Sequence, residues 1–306
     1  MAENQPAEEP NNVPIINEVL PQPFCSCWIW HDEKEPGNPD CDCGEEIAYI
    51  KWRWQVPTRK DRWVELCDDN KQVIFHPFYS SGTAVIRGDS GMKLNKHYYF
   101  EVKMLTEPYG TDIMVGIGSE QLDLEEIIYD YRSFLGGNEH SYGISYTGAI
   151  CQSSMVTNDS PGFCKGTIIG VKVDLFRGTL EFYLNREPYG IIVTDLRKHQ
   201  TLYPMMCSTT AQSSLRLSYA SSWNESLLMD AAKVLAASAP EPEEDDEEED
   251  DMSFLNVVPP GLANILRVQF WMMLPSAGRQ LGAGMDEAKS QLLPAAIRRK
   301  HWHRRW

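Results

Sequence analysis

The stretch GTIIGVKVDLFRGTLEFYLNREPYG, residues 166–190, places two apolar runs on either side of a polar tight turn at Arg177-Gly178. Before the turn the β-branched Ile168, Ile169, Val171 and Val173 dominate. After it Leu180, Phe182 and Leu184 alternate with Thr179, Glu181 and Tyr183. Period-two alternation is the pattern of a half-buried strand, so the segment predicts a β-hairpin with one face in a core and the other wet. Asn185-Arg186-Glu187-Pro188 turns the chain again, and Ile191-Ile192-Val193 begins a third strand at the spacing of an antiparallel meander.

The same reading extends in both directions. Trp63-Val64-Glu65-Leu66-Cys67 reads as a first strand, Asp68-Asp69-Asn70 as a turn and Val73-Ile74-Phe75 as a strand, with a further edge from Thr83 to Gly88. Residues 98–104 alternate cleanly, whereas Ile113-Met114-Val115-Gly116-Ile117-Gly118 is nearly continuous, as for a central strand buried on both faces. The large rings of Trp52, Trp54 and Trp63 are expected to fill the core. Short strands and turns repeat as far as Tyr219, which makes the fold mainly β, an antiparallel sandwich.

A chain of 306 residues that is 42% hydrophobic can bury a sizeable core. Its net charge of −16 overstates the acidity of the folded part, because residues 241–251, EPEEDDEEEDD, are acidic at every position but one. That run is too charged to fold, and the remainder is only mildly acidic, which argues against a nucleic-acid surface. No apolar run approaches the roughly 20 residues that span a bilayer, and the polar, Pro-rich start lacks the regions of a signal peptide. No membrane association is expected, and the home is cytoplasmic and/or nuclear, where the eight cysteines are not expected to form structural disulfides.

Four of those cysteines, Cys25, Cys27, Cys41 and Cys43, form two Cys-x-Cys pairs. Four thiolates can hold zinc tetrahedrally, but metal knuckles usually put two or more residues between paired cysteines. Free thiols and no cofactor are the expectation, with zinc the alternative.

Gly88-Asp89-Ser90-Gly91 matches the segment around the nucleophile of trypsin-like proteases, yet no histidine block of that kind precedes it, so it reads as a Gly-rich turn. Without paired acid–base carboxylates or a phosphate-cradling loop, the sequence reads as a binder rather than an enzyme.

Beyond Tyr219 the period changes to about 3.6. Ser222 and Glu225 have capping-box spacing, and Leu227, Ala231 and Leu235 share a face of a helix expected to end near Ala239-Pro240. After the acidic run, Val257-Val258-Pro259-Pro260-Gly261-Leu262 opens a second helix, with Leu262, Ile265, Leu266, Gln269 and Met273 on one face. The resulting organisation is a mostly disordered arm over 1–50 carrying the Cys-x-Cys pairs, a sandwich over 51–221, a helical box over 222–275 interrupted by the acidic run, and a flexible basic tail over 276–306.

The order Gly170-Val171, Asp174, Gly178-Thr179-Leu180, Phe182-Tyr183 and Asn185 closely resembles the signature of SPRY domains, and the pieces at 98–104, 115–118, 141–144 and 202–204 recur in the family's order. With Ser226-Leu227-x-x-x-Ala231-x-x-x-Leu235 and the Pro-Pro-Gly-Leu helix behind it, the chain resembles the SPRY domain- and SOCS box-containing proteins, closest to their divergent third member. That resemblance implies a non-catalytic substrate receptor of a cullin-RING ubiquitin ligase, leading to ubiquitination and proteasomal degradation of its target. Ser226, Leu227, Ala231 and Leu235 would meet elongin B and elongin C. Val258, Pro259, Pro260 and Leu262 would meet a cullin paired with a RING protein, although Asn256-Val257-Val258-Pro259 stands where the family has Leu-Pro-apolar-Pro. Loops at one end of the sandwich would take a short, Asn-containing peptide of the target. Thr111 and Tyr131 match the family's pocket, with Phe134, Thr209 and Thr210 beside them. His76-Pro77-Phe78 and Thr209-Thr210-Ala211 replace its Arg-Pro and Val-Trp-Gly. The alternative is a stand-alone SPRY adaptor whose helices merely cover the sandwich.

Overall fold

Strand alternation of the kind read above gives two facing antiparallel sheets in the computed structural model, which describes residues 20–28, 41–57, 63–124, 129–158, 160–237 and 258–274. In chain order the strands are β1 (Val64–Cys67), β2 (Gln72–Phe75), β3 (Ala84–Arg87), β4 (Met92–Lys93), β5 (Lys96–Met104), β6 (Ile113–Ser119) and β7 (Ser141–Ser145). There follow β8 (Ile150–Gln152), β9 (Met155–Thr157), β10 (Ile168–Asp174), β11 (Thr179–Leu184), β12 (Glu187–Val193), β13 (Thr201–Ser208) and β14 (Ser213–Asn224). Two helices close the described chain, α1 (Leu227–Ala237) and α2 (Pro260–Val268). Among the described residues the first sheet runs β1-β2-β14-β5-β10-β11-β12, and the second β3-β13-β6-β7-β8-β9 with β4 also on β13. Phe100, Val102, Ile117, Ile144, Val171 and Phe182 are among the side chains that fill the space between them. Each is a fully buried apolar side chain, worth about 1.5–3 kcal/mol for the large ones. Every residue of β6 is buried, as its continuous apolar run requires. No helix among the described residues is long and apolar enough to cross a membrane.

The hairpin is β10 on β11, with Asp174 opposite Thr179. The Asp174 carboxylate accepts the amides of Phe176 and Arg177 at 2.9 and 2.8 Å, and its carbonyl accepts that of Gly178 at 2.7 Å. Gly178 has φ +85°, the left-handed region that a side chain disfavours. The next turn is tighter than the sequence suggested. Asn185 and Arg186 alone make it, with φ of +51° and +68°, so β12 begins at Glu187 rather than Ile191. A two-residue turn with both φ positive follows the twist of its strands, and Asn185 fixes it by accepting the Ile168 amide and donating to the Gln22 carbonyl.

A second difference concerns where the sandwich stops. β14 continues past Tyr219 to Asn224, pairing with β5 down to Lys96. The long ladder outweighs the local capping pattern of Ser222 and Glu225; Glu225 instead accepts from the buried His97. The helix starts three residues later, capped by Ser226, whose hydroxyl accepts the Met229 amide at 3.3 Å. The expected helix end at Ala239-Pro240, residues 1–19, the acidic run and the tail at 276–306 lie outside the described residues.

The outer face of the first sheet is covered twice. Tyr99, Tyr183 and Tyr219 pack under Met229 and Ala232 of α1, Leu266 of α2, and Phe270 and Trp271 of the short 3-10 turn that follows. Beside them lie residues 20–28 and 41–50, which the sequence reading placed in a mostly disordered arm. Phe24 donates its amide to Gly166, Gln22 accepts from Thr167, and Lys103 holds the carbonyls of Cys41 and Cys43. Lone pairs and amides on a strand-rich surface recruit such segments without any hydrophobic period to announce them.

Candidate functional site

Thr111 and Tyr131 come to the same end of the sandwich through one hydrogen-bonded base. Asp112, at the head of β6, is buried and accepts from Ser133 and, at 2.6 Å, from Ser145. Its amide donates to the Thr209 hydroxyl at 2.9 Å, and the Ser80 hydroxyl donates to the Thr209 carbonyl at 2.5 Å. The Tyr131 hydroxyl in turn donates to the Ser80 carbonyl at 2.7 Å. Burial pushes the Asp112 carboxyl above its usual range, against the two serine bonds that favour its charged form. Thr111 and Tyr131 are themselves exposed, and so are Phe78, Tyr79, Tyr109 and Tyr129. Tyr129 leans edge-on against Trp63 at 5.5 Å, and Tyr109 is tied to the Ala211 carbonyl. The result is an exposed aromatic surface on a hydrogen-bonded base, the kind of loop surface on a scaffold where binding residues are often found.

Three residues expected in that pocket face inward instead. Phe134 is only 6% exposed and packs with Met114, Leu135 and Met205, because its loop turns back under the second sheet. The hydroxyls of Thr209 and Thr210 are used on the loop over 109–112, Thr209 on both backbone groups of Asp112 and Thr210 on the Tyr109 carbonyl. They shape the base rather than face solvent. Phe78, in the segment that stands where the family's pocket has Arg-Pro, is exposed there as well, and so is Tyr79, which sequence reasoning missed and whose signal is a second ring in the same loop.

α1 divides its side chains between two faces. Met229 and Ala232 are buried, while Leu227, Leu228, Ala231 and Val234 are exposed, Leu227 at 88%. Ser226 is the exposed cap; the side chain of Leu235 lies outside the described residues. At the start of α2 Pro259 and Pro260 are exposed and Leu262 half-buried, but Val258 packs into the cluster on the sheet's outer face, so its side chain is committed to the core.

The two Cys-x-Cys pairs, separated in sequence, converge: all four sulfurs lie within 4.8 Å of one another. A hydrogen bond from Cys25 draws the Cys41 thiol down to about 5, while burial pushes that of Cys43 up to about 12. Next to them stands a charge cluster that sequence reasoning missed. Arg186, in the two-residue turn, is buried and grips both oxygens of buried Glu101 at 2.9 and 3.0 Å. Its guanidinium lies between the rings of Phe270, at 4.5 Å, and Phe24, at 5.1 Å. Nothing in an Asn-Arg turn signals an inward-facing arginine.

Residues 97–221 match the SPRY domain family. The chain is 38% identical over 219 residues to SPRY domain-containing SOCS box protein 3 of Xenopus tropicalis, covering 69% of this chain and 59% of that protein. It is equally similar, over 214 residues, to the protein of that name from Xenopus laevis, covering 68% and 59%. The chain thus spans less than two thirds of the length of these relatives. Among solved structures it is similar to the TRIM65 PSpry domain, at 17% identity and a TM-score of 0.44, over 55% of this chain and 90% of that one.

Proposed function

We propose that this chain, which has a SPRY domain and resembles the SPRY domain-containing SOCS box proteins along most of its length, is the substrate-recognition subunit of an elongin BC cullin-RING ubiquitin ligase. The sandwich holds a short peptide of the target at the Thr111 and Tyr131 end, and α1 docks on elongin B and C. The chain performs no chemistry of its own. Its contribution is effective concentration: a tethered substrate meets the loaded ubiquitin-conjugating enzyme intramolecularly. One observation carries the reading, the exposed apolar strip of Leu227, Ala231 and Val234 on the side of α1 opposite Met229. A helix that served only to cover its own sheet would turn its leucines inward.

The second reading, a stand-alone SPRY adaptor, draws on Phe270 and Trp271, which are buried against Tyr99 and make α2 part of the cover. Co-expression with elongin B and C separates the two. Stoichiometric co-purification, lost in Leu227→Asp without a change in melting temperature, is expected, because a carboxylate at a desolvated anchor has no partner. Elongin binding that survives Leu227→Asp, or is absent from the wild-type chain, defeats the ligase reading.

A further inference from the structure

The Cys25 and Cys41 sulfurs are 3.3 Å apart and those of Cys27 and Cys43 3.9 Å, and every sulfur is within 4.8 Å of the others. A Zn–S bond of about 2.3 Å places tetrahedral sulfurs about 3.8 Å from one another, so the four thiols already outline a coordination shell of the right size. The one-residue spacing that argued against zinc does not obstruct this, since the sulfurs within each pair also lie within 4.8 Å of one another.

Two cations stand beside the four sulfurs, Lys103, which also pairs with Glu45 at 3.1 Å, and Arg186, which also pairs with Glu101. Lys103, on β5, is fully buried, with Nζ 3.8 Å from the Cys41 sulfur and bonded to the Cys41 and Cys43 carbonyls at 2.8 and 2.9 Å. Arg186 donates to the carbonyl of Gly44, the residue that follows Cys43, at 3.0 Å. Gly44 itself has φ +84°, and a Cβ there would fall 2.2 Å from Ile168 Cδ1, so this turn is seated tightly on the sheet.

We propose that Cys25, Cys27, Cys41 and Cys43 bind one Zn²⁺ as a structural tetrathiolate that fastens residues 20–28 and 41–50 to the outer face of the first sheet. The site would lie beside the Arg186–Glu101 pair, on whose other side Phe270 and the helices rest. Zinc here secures the platform under the docking helix and takes no part in recognising a target; the inference stands whether or not elongin binds.

The test uses the full chain, purified anaerobically without chelator and without any thiol-blocking reagent. Elemental analysis is expected to find about one zinc per chain, absent from the Cys25→Ser/Cys41→Ser variant and retained in a Cys67→Ser/Cys164→Ser control. Should the first variant fail to fold, cobalt exchange into the wild-type chain decides, with the d–d bands and thiolate charge transfer of a tetrahedral sulfur site expected. A zinc-free chain that takes up neither zinc nor cobalt overturns the proposal, as do disulfides joining these cysteines, iron in place of zinc, or zinc that persists in a folded Cys25→Ser/Cys41→Ser chain.

Discussion

The outer face of the first sheet and the loop end of the sandwich are both rich in aromatic and polar groups, yet they are finished to different degrees. On the outer face Glu101, Arg186 and Tyr99 are buried, Glu101 accepts from both of the others, and Phe270 and Phe24 lie over the guanidinium. At the loop end the buried polar groups, Asp112, Thr209 and Thr210, bond only within the base, and the rings above them remain in water. Buried charge on one side holds the chain's own segments together. Exposed aromatic surface on a satisfied base leaves the other side free to bind something else.

If that contrast is right, substitutions on the two sides should fail in different assays. Arg186→Met is expected to have the largest effect, about 3–5 kcal/mol of stability, because it strands a buried carboxylate; Glu101→Leu in the same chain should recover part of it. Denaturant unfolding checks both, and an Arg186→Met chain as stable as wild type would place the pair in solvent. Gly178→Val is expected to lose about 1–3 kcal/mol, since valine disfavours φ +85° and its Cβ would lie 3.1 Å from Arg197 Cγ. Here an unchanged melting curve would contradict the turn. Tyr131→Ala with Thr111→Ala should leave the melting temperature and elongin binding alone and weaken substrate capture by more than about 1.4 kcal/mol, or tenfold, in a peptide-binding titration. Undiminished capture would move the pocket elsewhere on the sandwich. The smallest effect concerns His76, buried beside the Trp63 ring, whose pKa burial depresses against its bond to the Ser208 carbonyl. The unfolded chain then takes up the proton first, so stability falls as pH drops from about 7 toward 5. His76→Asn, which tolerates the φ of +47°, should flatten that slope in thermal melts.

Alternation revealed most of the sandwich, because a half-buried strand repeats every two residues whatever its neighbours are: β1, β2, β5, β6, β10 and β11 lie where their patterns put them. What stayed hidden depended on partners distant in sequence. Ser222 and Glu225 look like a cap until β5 pairs with them or their neighbours. Thr209 and Thr210 resemble pocket hydroxyls until the loop over 109–112 uses them, and Phe134 resembles a pocket residue until its loop turns inward. The four cysteines read as two weak pairs because only the fold brings residues 25–27 beside 41–43.

The place of β14 in the first sheet also dictates when this protein can exist during its own synthesis. β14 is the final strand to be made, yet it lies between β2 and β5, so β1 and β2 have no sheet to join until residues 213–224 have emerged from the ribosome. The hairpin at 168–184 closes locally and can form early, whereas the ladder from β5 to β14 must bridge more than a hundred residues, the slow, non-local kind of pairing. Nascent chains halted before residue 213 therefore carry β1, β2 and an open edge of β5 that chaperones must shield, and the sandwich becomes complete only as α1 begins to follow it out.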